Sequence, residues 1–211
     1  MKQKGLTASV AIIIAALIAA GCATITSDAE ISQRAIAMMK SGFRESGQAK
    51  LDRLDQDEVQ ATCSKYESAE KLPKDVAKAL EEAQFKLIKY PADGQLAGDW
   101  KAGEAIAQSG VGKQFSDDPS RPSGGNCYAC HQLSKQELAY GTIGPSLLNY
   151  GKIRGQSEEM KRYTYGKVYN AEAFSACSLM PRFGHSGILT EKQIKDVVAL
   201  LLDPESPINK N

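Results

Sequence analysis

The sequence predicts an all-α protein, because helical periodicity recurs along the chain and no segment alternates strictly between apolar and polar residues. In several segments apolar residues return at intervals of three and four, as on one face of an amphipathic helix. These segments start at residues that suit a helix N-terminus, such as Asp99, Ser157 and Thr190. With 211 residues, of which 42% are hydrophobic and 24% charged, the chain is long enough to bury a core.

The first part of the chain is predicted to be a helical extension over residues 28–90. A helix is expected over 28–47 with Asp28 as its cap, and a second helix is expected to begin at Pro73 and run to about Tyr90. The apolar faces are narrow, so the extension needs another surface to cover them. The expected apolar positions are Ile31, Ala35, Met38, Leu51, Leu54, Val59, Val76, Leu80, Ala83 and Leu87.

The second part is predicted to be a helical domain over residues 98–205. Asp99 is expected to cap its first helix. A helical continuation is expected after His131, followed by a turn-rich segment at 141–147. Ser157 is expected to start a further helix. The apolar side of that helix is expected to consist of Met160, Tyr163, Val168 and Tyr169.

A last helix is predicted by the capping box that Thr190 and Gln193 would form. The dipeptide Asp203-Pro204 is expected to end it. The apolar positions of this helix follow the spacing i, i+3, i+4 and i+7: Ile194, Val197, Val198 and Leu201.

The strongest chemical signal is the motif Cys127-Tyr128-Ala129-Cys130-His131, the attachment sequence of a c-type haem. In that chemistry each thiol adds to one vinyl group of the porphyrin, and the adjacent imidazole binds the iron. We therefore predict covalent attachment at Cys127 and Cys130 and axial ligation by His131. A ligating imidazole usually donates its second N–H to an acceptor, and the Pro145 carbonyl is the candidate.

Three other interpretations of this motif are open. The first is a chance match, in which a surface CxxC is followed by an incidental histidine. Zinc would need four nitrogen or sulfur ligands, commonly as two separated pairs, whereas the remaining candidates are isolated in the sequence. A redox-active dithiol would be expected beside a βαβ pattern, which the sequence does not show. The isolated candidates are Cys22, Cys63, Cys177 and His185.

The N-terminus is predicted to be a signal peptide over residues 1–22. Two lysines precede an apolar run at 10–20, which is too short to span a membrane comfortably. Small residues before Cys22 are typical of a lipoprotein box, so Cys22 is a candidate for a lipid anchor. Ordinary cleavage nearby, for example after Ala23, is the alternative. Either outcome predicts an exported, periplasmic protein.

Cys63 and Cys177 then remain as an even pair in an oxidising compartment, and we predict a disulfide between them. The alternative is that one of them is a free reactive or metal-ligating thiol. The net charge is +1 and the chain has no basic block, so no nucleic-acid partner is expected.

Met180 is the candidate for the second axial ligand of the iron. It lies in the segment 178–184, just before the capped final helix, and Pro181 would stiffen that loop. A thioether opposite histidine favours ferrous iron and raises the reduction potential. His185 and Cys177 are the alternative ligands, and a thiolate from Cys177 would lower the potential.

Four segments carry a resemblance to a known family: GNCYACH, GTIGPSLLNYGKIRG, YTYGKVYNAEAFSACSLMPRFG and ILTEKQIKDVVALLLDPESPINK. Together with the Asp99 helix they resemble SoxX, a monohaem class I cytochrome c and the smaller subunit of the SoxAX complex. The resemblance covers Gly98 to about Asn209. It implies a class I cytochrome c fold in which the helix bearing Gly103 crosses the last helix. The residues 28–90 are similar to the extension of longer SoxX variants.

The resemblance also implies a function and partners. SoxAX oxidatively joins thiosulfate to a cysteine of the carrier SoxYZ, an L-cysteine S-thiosulfotransferase activity of the complex rather than of this chain alone. The SoxX subunit carries one haem c, pairs with a dihaem or monohaem SoxA cytochrome and relays electrons to a downstream cytochrome c.

Two other functions remain open. One is a free-standing periplasmic monohaem carrier that serves another oxidase or dehydrogenase. The other is a sensor or catalytic haem with an exchangeable sixth ligand. No acid–base constellation in the sequence predicts bond-making chemistry by this chain.

Overall fold

The computed structural model describes residues 27–66 and 69–210, and the predicted targeting segment 1–22 with Cys22 lies outside this range. The described residues form α-helices and short 3₁₀ turns, with no β-strand among them. None of these helices is long and apolar enough to span a membrane. The α-helices are α1 Asp28–Gly42, α2 Glu58–Cys63, α3 Lys74–Phe85, α4 Trp100–Gln108, α5 Tyr150–Arg154, α6 Glu158–Tyr169 and α7 Glu191–Leu202.

The chain divides into two compact units, and the boundary lies between Phe43 and Arg44. In the first unit, α1 begins at Asp28 as the sequence predicts, but Ser27 and not Asp28 is its N-cap. The Ser27 side chain accepts a hydrogen bond from the Glu30 N–H at 3.2 Å. The helix ends at Gly42, short of the expected residue 47, and none of its residues is buried.

In the second unit, α4 crosses α7 at Gly103. A Cβ at this glycine would lie 2.7 Å from the Asp196 carbonyl carbon and 2.9 Å from Leu200 Cβ, so the two backbones touch. Thr190 and Gln193 form the predicted capping box, and α7 ends at Leu202 before Asp203. Its apolar face is fully enclosed, which makes the α4–α7 crossing the centre of the core.

The middle of the second unit contains a helix that the sequence analysis missed. Helix α5 begins after Asn149, whose φ of 56° is in the left-handed region, and its first turn is held from the C-terminal end of the chain. The Asn209 side chain accepts from the Gly151 N–H at 2.8 Å and donates to the Leu201 carbonyl at 3.1 Å. The C-terminus therefore fastens α5 to α7.

Helix α6 is capped by Ser157 as predicted, and of its expected apolar side Val168 is buried while Met160 and Tyr169 are partly buried against the core. Tyr163 is 41% exposed, whereas Tyr165 is fully buried in the core. The Tyr165 ring contacts the rings of Tyr90 and Tyr169.

The residues 44–90 belong to the same compact unit as the residues that follow them. A second apolar cluster joins Val59, Leu72 and Leu80 to Ala176. The stripe expected for α3 was wrong in part, since Leu87 lies beyond the end of the helix and is exposed. The predicted domain limits of 28–90 and 98–205 remain predictions.

Candidate haem site

The motif 127–131 forms a tight turn that is closed by two hydrogen bonds to the carbonyl of its first cysteine. Residues Cys127–Ala129 are a 3₁₀ turn. The Cys127 carbonyl accepts from the Cys130 N–H at 3.1 Å and from the His131 N–H at 2.9 Å. These backbone hydrogen bonds set the spacing of residues 127, 130 and 131 along the turn.

The chain enters this turn along the end of α4. The Gly125 N–H donates to the Ile106 carbonyl at 2.8 Å, and the Asn126 N–H donates to the Ser109 carbonyl at 2.9 Å. Asn126 then adopts a left-handed conformation with φ of 45°, which turns the chain into the motif. The position of the first thiol therefore depends on α4 and on the core behind it.

The helical continuation expected after His131 was wrong. The carbonyls of Tyr128, Cys130 and Gln132 accept hydrogen bonds at 2.8 Å from the N–H groups of Gly141, Gly144 and Leu147. The returning segment 141–147 thus occupies the acceptors that a helix would need for its own i to i+4 bonds. This segment forms the wall of the site on the histidine side.

The imidazole of His131 is oriented by that wall. Its Nδ1 lies 2.7 Å from the carbonyl oxygen of Pro145, the acceptor named from the sequence. Because a carbonyl only accepts, Nδ1 carries the proton and the lone pair of Nε2 is left for a metal. Gly144 lies directly on the ring, since a Cβ there would be 2.5 Å from Nδ1.

The two motif cysteines are free thiols, and both are half-buried. Cys127 packs against the hydrophobic core. Burial raises the pKa of the Cys127 thiol to about 12. The Cys127 thiol is therefore protonated at neutral pH.

Met180 lies on the loop 177–184, which we call the Met loop. The Met180 side chain is half-buried and packs against the same core cluster as Cys127. Its N–H donates to the Ser178 hydroxyl at 3.2 Å, and Phe183 anchors the end of the loop in the core. The segments with Cys127 and Met180 therefore meet at one apolar core, although they are far apart in the sequence.

The predicted partner cysteines Cys63 and Cys177 are bonded in the structure, with 5.5 Å between their Cα atoms. Because Cys177 is disulfide-bonded, it has no thiolate to serve as the alternative axial ligand. The other alternative, His185, is exposed. Partial desolvation of its ring and the Arg182 guanidinium lower the pKa of His185 below its ordinary value.

Residues that the sequence analysis did not name hold the Met loop. The Glu172 carboxylate is buried and accepts from the Cys177 N–H at 2.6 Å. Burial raises its pKa above the ordinary value. Arg182 pairs with Asp57. Burial alone would raise the pKa of Asp57, but the Gln60 N–H and the Arg182 guanidinium lower it more, so it lies below its usual value.

Comparison with known proteins assigns the family. The sequence profile of the family Cytochrome c matches residues 111–203. An uncharacterized lipoprotein of Aquifex aeolicus (strain VF5) is 42% identical over 158 residues, which are 74% of this chain and 73% of that protein. The chain carries a cytochrome c family domain, and its all-α fold is that of a class I cytochrome c. It is an electron-transfer haem protein, and the family implies covalently bound haem c.

The described residues fit this cofactor. Two free thiols and an imidazole whose Nε2 lone pair is available come from one turn, and Gly144 lets the returning segment pack closely against the imidazole. Ile143 lies between Gly141 and Gly144, which bind the motif. It is 70% exposed and offers apolar surface beside the motif. When bound, haem c supplies one-electron redox chemistry. The chain's own residues fix the imidazole tautomer and present the two thiols.

Proposed function

We propose that this chain is a SoxX-like subunit of a thiosulfate-conjugating SoxAX complex. In this role it carries one haem, attached at Cys127 and Cys130, with His131 and Met180 as axial ligands. The complex joins thiosulfate to the carrier thiol of SoxYZ. One S–S bond forms, one proton is released and two electrons leave. The chain passes these electrons singly from a SoxA-like cytochrome to a downstream cytochrome c.

One observation carries the proposal. The SoxX-like segment 141–155 is the segment that contacts the motif in the structure, through Gly141, Gly144 and Pro145. The resemblance therefore extends to the residues that orient His131. A second SoxX-like segment, 163–184, contains Met180 and the residues that hold the Met loop. Likeness that is concentrated at both candidate ligands supports a shared haem environment.

We place the protein outside the cytoplasm, anchored through a lipid on Cys22. The lipoprotein box in the sequence supports this location, as does the name of the Aquifex relative. The Cys22→Ser variant should leave the membrane fraction and appear in soluble periplasm. If Cys22→Ser and wild type fractionate alike, the lipid anchor is wrong and cleavage near Ala23 is favoured.

The test of function is a reconstitution with the native partners. The untagged protein is purified from its own membranes, and haem proteins that accompany it in fixed ratio are identified by mass spectrometry. The purified assembly is mixed with SoxYZ and thiosulfate, and the reduction of the ferric haem is followed at its α band. A carrier whose thiol is alkylated is the control.

We expect a larger cytochrome to accompany the chain and thiosulfate to reduce its haem only with the free carrier thiol. A solitary monohaem chain that thiosulfate and SoxYZ leave oxidised would overturn the SoxAX role. That result would favour a free-standing electron carrier.

A further inference from the structure

We propose that residues 47–63, here named the clamp segment, hold Met180 in position as an iron ligand. The segment fastens the Met loop to the loop that leads into the haem motif. This inference rests on the proposed ligation by Met180. It assigns a positioning role to residues of the N-terminal extension that lie outside the matched cytochrome c region.

One end of the clamp segment is bound to the loop before the motif. The Gln48 side-chain amide donates to the carbonyls of Gly112, Gln114 and Asp117 at 2.7, 3.1 and 3.2 Å. The Arg53 guanidinium donates to the Lys113 carbonyl at 2.7 Å. All of these acceptors are backbone atoms, so the contacts fix the path of the loop itself.

The other end is bound to the Met loop on both sides of Met180. Cys63 is bonded to Cys177, which precedes the methionine. Asp57 pairs with Arg182, which follows it. The Arg182 side chain is 13% exposed, so the ion pair is partly shielded from solvent and holds better than an exposed pair.

Met180 lies in a groove between these two fastenings. Leu54, Val59, Tyr66 and Ile188 line this groove together with Met180. If Met180 binds the iron, release of the thioether by movement of its loop would pull on the disulfide and the ion pair together.

The consequence is a measurable suppression of ligand exchange. An external ligand such as imidazole binds ferric iron only when Met180 has left it. Its apparent affinity therefore scales with the population of the open loop. If the clamp segment holds the loop, weakening either fastening raises that population without touching the haem or His131.

The first test removes the ion pair alone. Asp57 is also the N-cap of α2, where it accepts from the Gln60 N–H at 2.9 Å. Asparagine caps as well as aspartate does, so Asp57→Asn removes the charge and keeps the helix. Imidazole is titrated into the ferric holo-protein, and the sulfur–iron absorption at the red end of the spectrum is followed.

Asp93→Asn is the matched control. Asp93 pairs with Lys195 at 2.9 Å, and the Lys195 side chain is 14% exposed, close to the value for Arg182. Asp93 also accepts a backbone N–H at 2.9 Å, from Gln95. This pair joins the chain to α7 and not to the Met loop.

The second test removes the disulfide with Cys63→Ser and Cys177→Ser together. We expect the imidazole affinity to rise by about two- to fivefold in Asp57→Asn. We expect a rise of about tenfold or more in the double serine variant. Asp93→Asn should bind imidazole as the wild type does. If the double variant does not fold, Asp57→Asn against Asp93→Asn still decides the question.

The proposed role of the clamp segment is overturned if Asp57→Asn binds imidazole no better than Asp93→Asn. It is also overturned if the folded double variant matches the wild type. Failure of the ligation itself gives a different result. In that case the wild type lacks the sulfur–iron band, or Met180→Ala retains it.

Discussion

Gly144→Ala should displace the wall that orients His131. A Cβ at this position would lie 2.5 Å from Nδ1, whereas ordinary van der Waals contact begins at 3.4 Å. The segment must therefore retreat by about 1 Å. The Pro145 carbonyl moves with it, and the hydrogen bond of 2.7 Å lengthens to roughly 3.7 Å, beyond hydrogen-bond distance.

The magnitude follows from these two effects. Loss of the hydrogen bond costs about 1 kcal/mol. Overpacking against the ring costs about 1–3 kcal/mol. The free energy of unfolding of the holo-protein should therefore fall by about 2–4 kcal/mol. Without its hydrogen-bond acceptor the imidazole donates less electron density to the iron, so the reduction potential of the haem should rise.

Guanidinium denaturation and a spectroelectrochemical titration of the holo-protein measure both effects. Gly110→Ala is the control, because a Cβ there has its nearest neighbour at 3.4 Å. Wild-type stability together with an unchanged potential in Gly144→Ala would refute the contact between this glycine and the ligand ring.

Further predictions concern the core, the disulfide and acid stability. Gly103→Leu should lower the free energy of unfolding by roughly 3 kcal/mol through collision with Leu200 at the helix crossing, measured by chemical denaturation; wild-type stability would contradict this. Cys63 and Cys177 should resist iodoacetamide in the folded, aerobically prepared protein until they are reduced. Alkylation of both thiols without prior reduction would contradict the disulfide. Burial alone would raise the pKa of Asp57, but its hydrogen bond and ion pair lower it below the unfolded value. Its contribution is therefore complete above the unfolded carboxyl pKa and is lost as pH falls through the folded one. Asp57→Asn should flatten the acid side of the plot of unfolding midpoint against pH, and an unchanged acid slope would contradict the pairing.

Local signals in the sequence were sufficient for the ends of several helices. The capping box of Thr190 and Gln193 and the caps at Asp99 and Ser157 use side chains within three residues of the backbone that they bind. The order of the motif 127–131 likewise follows from the chemistry of one turn. Such features depend on neighbouring residues, so a sequence read alone can predict them.

The segment after His131 could not be predicted in this way. Its residues have no strong helix breaker nearby, yet its carbonyls are taken by Gly141, Gly144 and Leu147. Which acceptors a returning loop will occupy depends on tertiary structure. The same is true of α5, whose first turn is held by Asn209 from the end of the chain.

Buried polar residues were also missed, because hydrophobic patterns assign them to the surface. Asp196 is 2% exposed on the inner part of α7. It accepts from the Asp99 N–H at 3.0 Å and pairs with Lys192. Glu172 is buried behind the Met loop for a similar reason, since it accepts a backbone N–H there. These side chains satisfy donors that are brought close only by folding.

The ferric spectrum of the holo-protein and of Met180→Ala, with mass analysis of the peptide that contains residues 127–131, tests the central claim most directly. The account predicts one haem on that peptide in both proteins. It also predicts a sulfur–iron band at the red end of the wild-type spectrum that is absent from Met180→Ala. A band that survives in Met180→Ala, or a wild-type peptide without haem, would contradict the proposed site.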